Sequence, residues 1–184
     1  GTGSPIIYST GNITANNVNG VANNSEIGVV EGKNSITLTN SNVTGYKDNG
    51  FMLYQSFSGD AESGIARLKA ENNTLTTHGT GAFIYVNNTT AEADLTGNTI
   101  LMPNTTTLVK AAADSRWGKD GENGGHLTLR ASNQELSGNI VADSISTIAL
   151  DMTNGSSLVG AINTGNTAKE VTLKLSKDST WTLT

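Results

Sequence analysis

Apolar and polar residues alternate along short segments that recur down the whole chain. Runs such as ITLT (36–39), LTLR (127–130) and VTLKL (171–175) place an apolar residue at every second position. Successive side chains of an extended strand point to opposite faces, so these runs predict strands with one buried face. Apolar residues at helical spacing are always interrupted by Gly, Asn or Thr within a window of about 11 residues. The pattern therefore predicts an all-β chain.

Two columns of apolar residues recur at nearly constant intervals. The first column follows turns rich in Asn, Ser and Gly and has intervals of 25, 32, 25, 36, 22 and 23 residues between Val18, Val43, Leu75, Ile100, Leu136, Leu158 and Trp181. The second has intervals of 23, 23, 31 and 25 residues between Ile7, Val30, Leu53, Ile84 and Val109. A unit of about 22–25 residues with a few longer intervals predicts a solenoid, in which the extra residues form loops near 54–65 and 111–125.

Stacked coils of this length resemble the right-handed parallel β-helix. That is the fold of pectin-lyase-like enzymes and of many bacterial surface adhesins and autotransporter passenger regions. The Asn-bearing turns, the Gly after the second strand and the apolar columns carry the resemblance over essentially all of residues 1–184. It implies a single β-helix domain of about seven coils, and the ends GTGSP and TWTLT indicate a segment of a longer array. Asn side chains stacked in the turns would hydrogen-bond from coil to coil.

Composition narrows the choice of partners. The net charge is −5 and no run of basic residues is present, which argues against a nucleic-acid partner. The absence of Cys excludes disulfides and cysteine-ligated metals. No apolar stretch approaches the ~20 residues that a membrane-spanning helix needs. Together with the resemblance, this composition suggests a secreted or cell-surface protein without a cofactor.

One outer face of the predicted solenoid is unusually apolar. If Ile7, Val30, Leu53, Ile84 and Val109 point inward, their neighbours point outward. The outward columns are then Ile6, Val29, Met52, Phe83 and Leu108 on one side, and Tyr8, Glu31, Tyr54, Tyr85 and Lys110 on the other. Exposed apolar patches mark contact surfaces, and aromatic rings can stack on sugars. The predicted ligand-binding residues are therefore Met52, Tyr54, Phe83 and Tyr85 on the face, and Arg116 and Trp117 from the second loop. Loops covering this face, or a corner that breaks the alternation, would be the simpler alternatives.

The second loop also carries carboxylates. Asp114, Asp120 and Glu122 could supply oxygen ligands to Ca²⁺, although their spacing is not that of an EF-hand and solvated loop carboxylates are the simpler interpretation.

The residues favour binding over catalysis. The pectin-lyase-like enzymes use Ca²⁺-binding acidic residues with a basic Arg or Lys, or else clustered Asp residues. Here the arginines are Arg67, Arg116 and Arg130, and no Asp-Asp or Asp-x-Asp pair occurs. We therefore expect a non-catalytic, adhesin-like module that contacts a polysaccharide or a host or cell-surface protein. A polysaccharide lyase or glycoside hydrolase is the alternative, and a stalk that carries another domain is a third.

Overall fold

The computed structural model describes residues 3–184, which contain strands, turns and bends but no helix. In chain order the strands are β1 (Ile7–Ser9), β2 (Asn12–Asn16), β3 (Asn19–Ala22), β4 (Gly28–Glu31), β5 (Ser35–Thr39), β6 (Asn42–Gly45), β7 (Phe51–Tyr54), β8 (Ile65–Glu71), β9 (Thr74–Thr77), β10 (Ile84–Asn87), β11 (Thr89–Thr96), β12 (Thr99–Leu101), β13 (Thr107–Ala111), β14 (Gly125–Ser132), β15 (Glu135–Ser137), β16 (Asn139–Ala142), β17 (Thr147–Thr153), β18 (Ser157–Val159), β19 (Glu170–Leu175) and β20 (Thr180–Thr182).

The strands form a parallel β-helix with three faces. One face is a six-stranded sheet in the order β1-β4-β7-β10-β13-β16, and the next is a seven-stranded sheet in the order β2-β5-β8-β11-β14-β17-β19. The third face consists of a four-stranded sheet, β3-β6-β9-β12, and a three-stranded sheet, β15-β18-β20. Each strand pairs in parallel with strands of the neighbouring coils. The all-β, parallel β-helical prediction is therefore confirmed.

The core lies between the three faces and is built from stacked apolar side chains. Val43 of β6 lies opposite Leu75 of β9, and Leu136 of β15 lies opposite Leu158 of β18. These four side chains are buried, as the sequence predicts, whereas Ile100 is half-buried and Trp181 is exposed. β12 and β15 are not paired although they follow each other on the third face. Residues of both strands line a surface depression of about 600 Å³ there.

Polar side chains fix the corner between the seven-stranded sheet and the third face. The first six of these corners begin with a residue in the left-handed region, with φ between 47° and 61°: Asn17, Asn40, Asn72, Gly97, Asn133 and Asn154. Asn and Gly tolerate this conformation best. In five successive coils a buried polar side chain follows and accepts a hydrogen bond from a backbone N–H at the same corner of the preceding coil. These side chains are Ser41 (2.9 Å), Asn73 (2.8 Å), Asn98 (3.1 Å), Gln134 (2.8 Å) and Ser156 (3.1 Å). We call these five residues the polar corner ladder.

Two details of the six-stranded sheet differ from the sequence prediction. Ile7 lies opposite Gly28 rather than Val30, and Leu53 lies opposite Val86 rather than Ile84. Both shifts are of two residues, so each predicted inward residue remains inward.

The predicted outward positions of Phe83 and Leu108 are wrong. Phe83 immediately precedes β10, Leu108 is the second residue of β13, where the register with β16 shifts, and both are buried in the main core. Phe83 has an exposed fraction of 0% and packs edge-on against Phe51, with ring centroids 5.7 Å apart. The corner breaks the strict alternation, which places Phe83 and the following Ile84 in the same core.

Candidate functional site

Two long loops leave the solenoid at the corner between the six- and seven-stranded sheets. The 55–64 loop connects β7 to β8, and the 112–124 loop connects β13 to β14. Asn88, at the corner after β10, tethers both loops. Its side-chain Nδ2 donates to the Gln55 carbonyl at 2.8 Å, and its backbone N–H donates to the Asn123 carbonyl at 3.0 Å. The loops are therefore fixed side by side over the outer face of the six-stranded sheet.

Close contacts explain two glycines, one at this corner and one in the 112–124 loop. Gly32 has a φ of +64°, and a Cβ there would lie 2.6 Å from the Glu62 carbonyl oxygen of the 55–64 loop. Gly118 has a φ of +73°, and a Cβ there would lie 2.2 Å from Asn88 Oδ1. Only glycine combines this backbone conformation with such close contacts.

Aromatic side chains from both loops and from the sheet meet in one cluster. The ring centroid of Trp117 lies 5.3 Å from that of Tyr54 and 6.3 Å from that of Phe57. Phe57 has an exposed fraction of 67%, which is high for a large apolar side chain. We call Tyr54, Phe57 and Trp117 the aromatic cluster. It offers ring surface for a ligand at the junction of the two loops.

A carboxylate lies under this cluster. Glu31 of β4 is buried and accepts hydrogen bonds from the hydroxyls of Tyr8, Tyr54 (3.3 Å), Ser56 and Ser58 (3.2 Å). Tyr8 of β1 and Tyr54 of β7 lie on either side of β4, and their hydroxyl oxygens are 2.8 Å apart. Glu31 thus joins three strands of the sheet to the 55–64 loop through hydroxyl groups. Its partners are uncharged, and the ion pairs within residues 3–184 do not include it.

The hydrogen bonds decide the ionisation of this cluster. Burial opposes the charged form of Glu31, but the hydroxyls of Ser56, Tyr8, Ser58 and Tyr54 together lower the pKa of its carboxyl below the ordinary value. Burial and the neighbouring carboxylate raise the pKa of the Tyr8 phenol, and burial raises that of Tyr54. Glu31 is therefore ionised and the two phenols are neutral donors at neutral pH.

A polar depression lies beside the aromatic cluster on the same outer face. It has a volume of about 310 Å³, and its lining combines Met52 and Tyr85 with charged residues from several coils: Glu26, Asp48, Lys110, Asp114 and Arg116. We call it the acidic depression, since carboxylates outnumber cations in its lining. Asp114 and Arg116 are ion-paired at 2.8 Å, and the hydrogen bond from Arg116 lowers the pKa of the Asp114 carboxyl.

Tyr85 forms part of the wall of this depression. Burial, followed by the nearby Asp114 charge, raises the pKa of its phenol to about 12. Lys110 Nζ lies 5.5 Å from the ring centroid of Tyr85, within the range of a cation–π contact. Tyr85 also packs with Met52, Ala82 and Ala112 in a small apolar cluster outside the main core.

Most of the predicted ligand-binding residues meet at this site, but their exposure differs from the prediction. Met52 and Arg116 line the acidic depression, and Trp117 belongs to the aromatic cluster. Tyr54 and Tyr85 lie on the outer side of the sheet, yet their exposed fractions are only 7% and 6%. The expectation of openly exposed tyrosine rings is therefore wrong, because the loops and the side chains beside them cover the face. Phe83 is in the core and does not belong to the site.

The predicted Ca²⁺ ligands do not form a common site. Asp114 pairs with Arg116, and Glu122 pairs with Lys119. Within residues 3–184, no group of three or more His, Cys, Asp or Glu side chains is placed to hold a metal ion.

Sequence reasoning missed Phe57, Ser56 and Ser58, and it missed Glu26 and Asp48 of the depression. A Phe between two serines in the polar segment QSFSGD was an available signal, because a large apolar residue has no folding role in an exposed loop. Asp48 follows β6 and Glu26 precedes β4, so only the stacking of the coils brings them together.

The site thus combines exposed ring surface, ionised carboxylates and two cationic side chains on one rigid face. Comparison of the sequence with protein-family models, with curated proteins and with solved structures yields no match to this chain. Residues 3–184 contain no helix with the length and apolar character needed to cross a membrane.

Proposed function

We propose that this chain is a non-catalytic, adhesin-like module of a secreted or cell-surface bacterial protein, related to the pectin-lyase-like β-helices, and that it binds a glycan. The contact surface is the aromatic cluster together with the acidic depression. The observation that carries the proposal is the meeting of Phe57 and Trp117, from loops of different coils, beside a depression with a charged rim.

The chemistry of this surface suits a sugar. The faces of a pyranose ring carry C–H groups that pack on aromatic rings, while its hydroxyls hydrogen-bond to charged and polar side chains. Asp48, Asp114 and Arg116 provide acceptors and donors around Met52 and Tyr85. The rigid solenoid holds both loops, so little ordering would be required on binding, which favours affinity.

Two carboxyls of the site are poorly suited to glycoside hydrolysis. A glycosidase needs a carboxylic acid that stays protonated to protonate the leaving oxygen. The pKa values of Glu31 and Asp114 are both shifted downward, so neither carboxyl is suited to that role.

The test is a glycan array followed by measurement of the affinity of the best ligand. Phe57→Ser removes exposed ring surface, and we expect it to weaken binding roughly 5- to 150-fold, by analogy with the loss of one stacked base from an aromatic side chain. Tyr46→Ser is the matched control, because Tyr46 is also exposed but lies at the corner after β6, where it stacks on His78.

Three results would contradict the proposal. New reducing ends or unsaturated products would indicate a hydrolase or a lyase. Binding only to proteins would replace the glycan with a protein partner. A stalk would be favoured if no ligand binds and if deletion of coils only shortens the distance at which the protein holds another domain from the cell.

A further inference from the structure

Glu31 connects three strands of the sheet to the segment of the 55–64 loop that bears Phe57. Its Oε2 accepts from Tyr8 and Tyr54 on the sheet side, and its Oε1 accepts from Ser56 and Ser58 on the loop side. Phe57 lies between the two serines, so its position depends directly on these hydrogen bonds. The hydroxyl oxygens of Ser56 and Ser58 are 2.7 Å apart, and the Ser58 backbone N–H donates to the Ser56 hydroxyl at 3.1 Å, which makes the segment a compact turn over the carboxylate.

The arrangement requires an ionised carboxylate. A carboxylate accepts at both oxygens, whereas a protonated carboxyl has one O–H that must itself donate. Hydrogen bonds to a charged acceptor are also about twice as strong as those between neutral groups. Adding one proton to Glu31 therefore weakens all four hydrogen bonds together, and the solvent-facing serines can exchange theirs for water.

None of the titratable or charged groups around Glu31 in residues 3–184 forms an ion pair with its carboxylate. On the sheet side the titratable neighbours are the phenols of Tyr8 and Tyr54, with Glu26 acting on Tyr54 at longer range. On the loop side, Asp60 follows Ser58 and donates its backbone N–H to the Ser58 hydroxyl at 3.3 Å. Lys33, two residues after Glu31, pairs with Glu62 at 3.2 Å. Hydroxyls alone thus hold the carboxylate.

We propose that Glu31 is a positioning residue for the binding surface: its carboxylate holds Ser56 and Ser58 against the sheet and so fixes Phe57 beside Trp117, and protonation releases the 56–58 segment of the 55–64 loop. The consequence for ligand binding depends on the proposed function, but the movement of the loop does not.

Trp117 provides a readout that needs no ligand. The chain has two tryptophans, so Trp181→Phe leaves Trp117 as the only one. Its emission and its quenching by acrylamide are followed from about pH 7 to about pH 3, across the ordinary carboxyl range. We expect a red shift and stronger quenching, with a midpoint below the ordinary glutamate value of ~4.3, while the far-ultraviolet circular dichroism stays constant.

Three variants in the same background identify the responsible group. Glu31→Gln should abolish the transition, because the amide does not titrate. Ser56→Ala with Ser58→Ala should give the acid-type emission already at about pH 7, because the loop-side donors are gone while the sheet-side hydrogen bonds remain. Glu62→Gln is the matched control in the same loop and should behave like the parent, because Glu62 is exposed and pairs only with Lys33.

Amide hydrogen exchange of residues 55–64 in the otherwise unchanged chain repeats the comparison without the Trp181 substitution. Faster exchange in the double serine variant than in the parent at one pH supports the proposal. An unaltered transition in Glu31→Gln, or a double serine variant identical to the parent in emission and exchange, overturns it.

Binding gives a separate result once a glycan is known. The double serine variant should bind roughly tenfold more weakly at about pH 7, although Phe57 is still present, because its loop must be ordered when the glycan binds. A tenfold loss of affinity is close to the free energy of one hydrogen bond to a charged group. Unchanged affinity in a variant with a released loop would overturn the positioning role. If no glycan binds at all, the proposed function fails, and the fluorescence and exchange measurements still decide whether Glu31 holds the loop.

Discussion

Individual side chains at this site carry roles that their residue types alone do not reveal. Glu31 points away from the core, as the alternation of β4 predicts, because an inward carboxylate would lack solvation. It is nevertheless buried, since Ser56 and Ser58 arrive from a position 25 and 27 residues further along the chain. Local sequence patterns do not predict a contact between residues this far apart in the chain. The outward direction of Glu31 was therefore predictable from the sequence, and its burial was not.

Tyr85 gives the outer face a measurable alkaline titration. Its folded-state pKa of about 12 exceeds the ~10 of an unfolded tyrosine, so the folded state favours the neutral phenol. This contribution to the free energy of unfolding is fully present below about pH 10 and is lost as the pH rises from about 10 towards 12. Tyr85→Phe should therefore show a smaller loss of stability across that window than the parent, as measured by denaturant unfolding at several pH values. An equal loss would mean that the phenol titrates normally.

The stability of the third face depends on the size of its inward side chains. Leu136 has an exposed fraction of 2%, so Leu136→Ala should lower the free energy of unfolding by about 2–5 kcal/mol. Leu101→Ala is the control, because the same atoms are removed from a side chain that is 47% exposed. Equal effects of the two substitutions on the denaturation midpoint would contradict the assigned burial.

Strands and corners show which parts of the fold a sequence can specify. Alternation and spacing identify the strands and their buried faces, and the left-handed Asn residues mark one corner. Hydrophobic spacing alone cannot distinguish registers that differ by two residues, because both bury the same face. That ambiguity explains why Ile7 lies opposite Gly28 and not Val30. The position of Phe83 depended on where β10 begins, which no periodicity fixes.

The outer face of the seven-stranded sheet carries alternating charges on directly paired positions: Lys69, Asp94, Arg130, Asp151 and Lys174. Arg130 also contacts Glu92 at 3.2 Å and Asp94 at 3.3 Å. Opposite charges on neighbouring strands favour the observed register, and like charges oppose it.

Reversing the central charge should therefore destabilise the sheet in a salt-dependent way. Arg130→Glu would place like charges beside Asp94 and Asp151, and we expect a loss of about 1 kcal/mol at low ionic strength. The loss should shrink in about 1 M salt, where the screening length falls to roughly 3 Å. Lys69→Glu, beside Asp94 alone among these carboxylates, should have a smaller effect. A salt-independent loss in Arg130→Glu would indicate altered packing of the arginine stem instead of charge.

On the scale of the whole molecule, each coil is stabilised by the coils on either side. The central strands β8, β11 and β14 alternate between buried and more exposed positions, whereas β19 and β20 consist of half-buried and exposed residues. A solenoid of this kind has stability that depends on contacts between neighbours.

Hydrogen exchange should therefore slow from the two ends of the solenoid towards its middle. We expect the amides of β11 and β14 to exchange most slowly, and those of β1, β2, β19 and β20 to exchange first. Mass spectrometry of peptides covering each strand would measure this gradient. Uniform protection along the chain would mean that the coils unfold as one cooperative unit.

The polar corner ladder has a consequence for how this backbone can change. Each connection between the seven-stranded sheet and the third face that contains Ser41, Asn73, Asn98 or Gln134 is two residues long. At the corner between the six- and seven-stranded sheets, the connections range from Asn88 alone to the whole 112–124 loop. Insertions and deletions can thus accumulate along one ridge without disturbing the vertical spacing of the coils. Proteins with different recognition surfaces can share this backbone, and new binding loops can be grafted along that ridge.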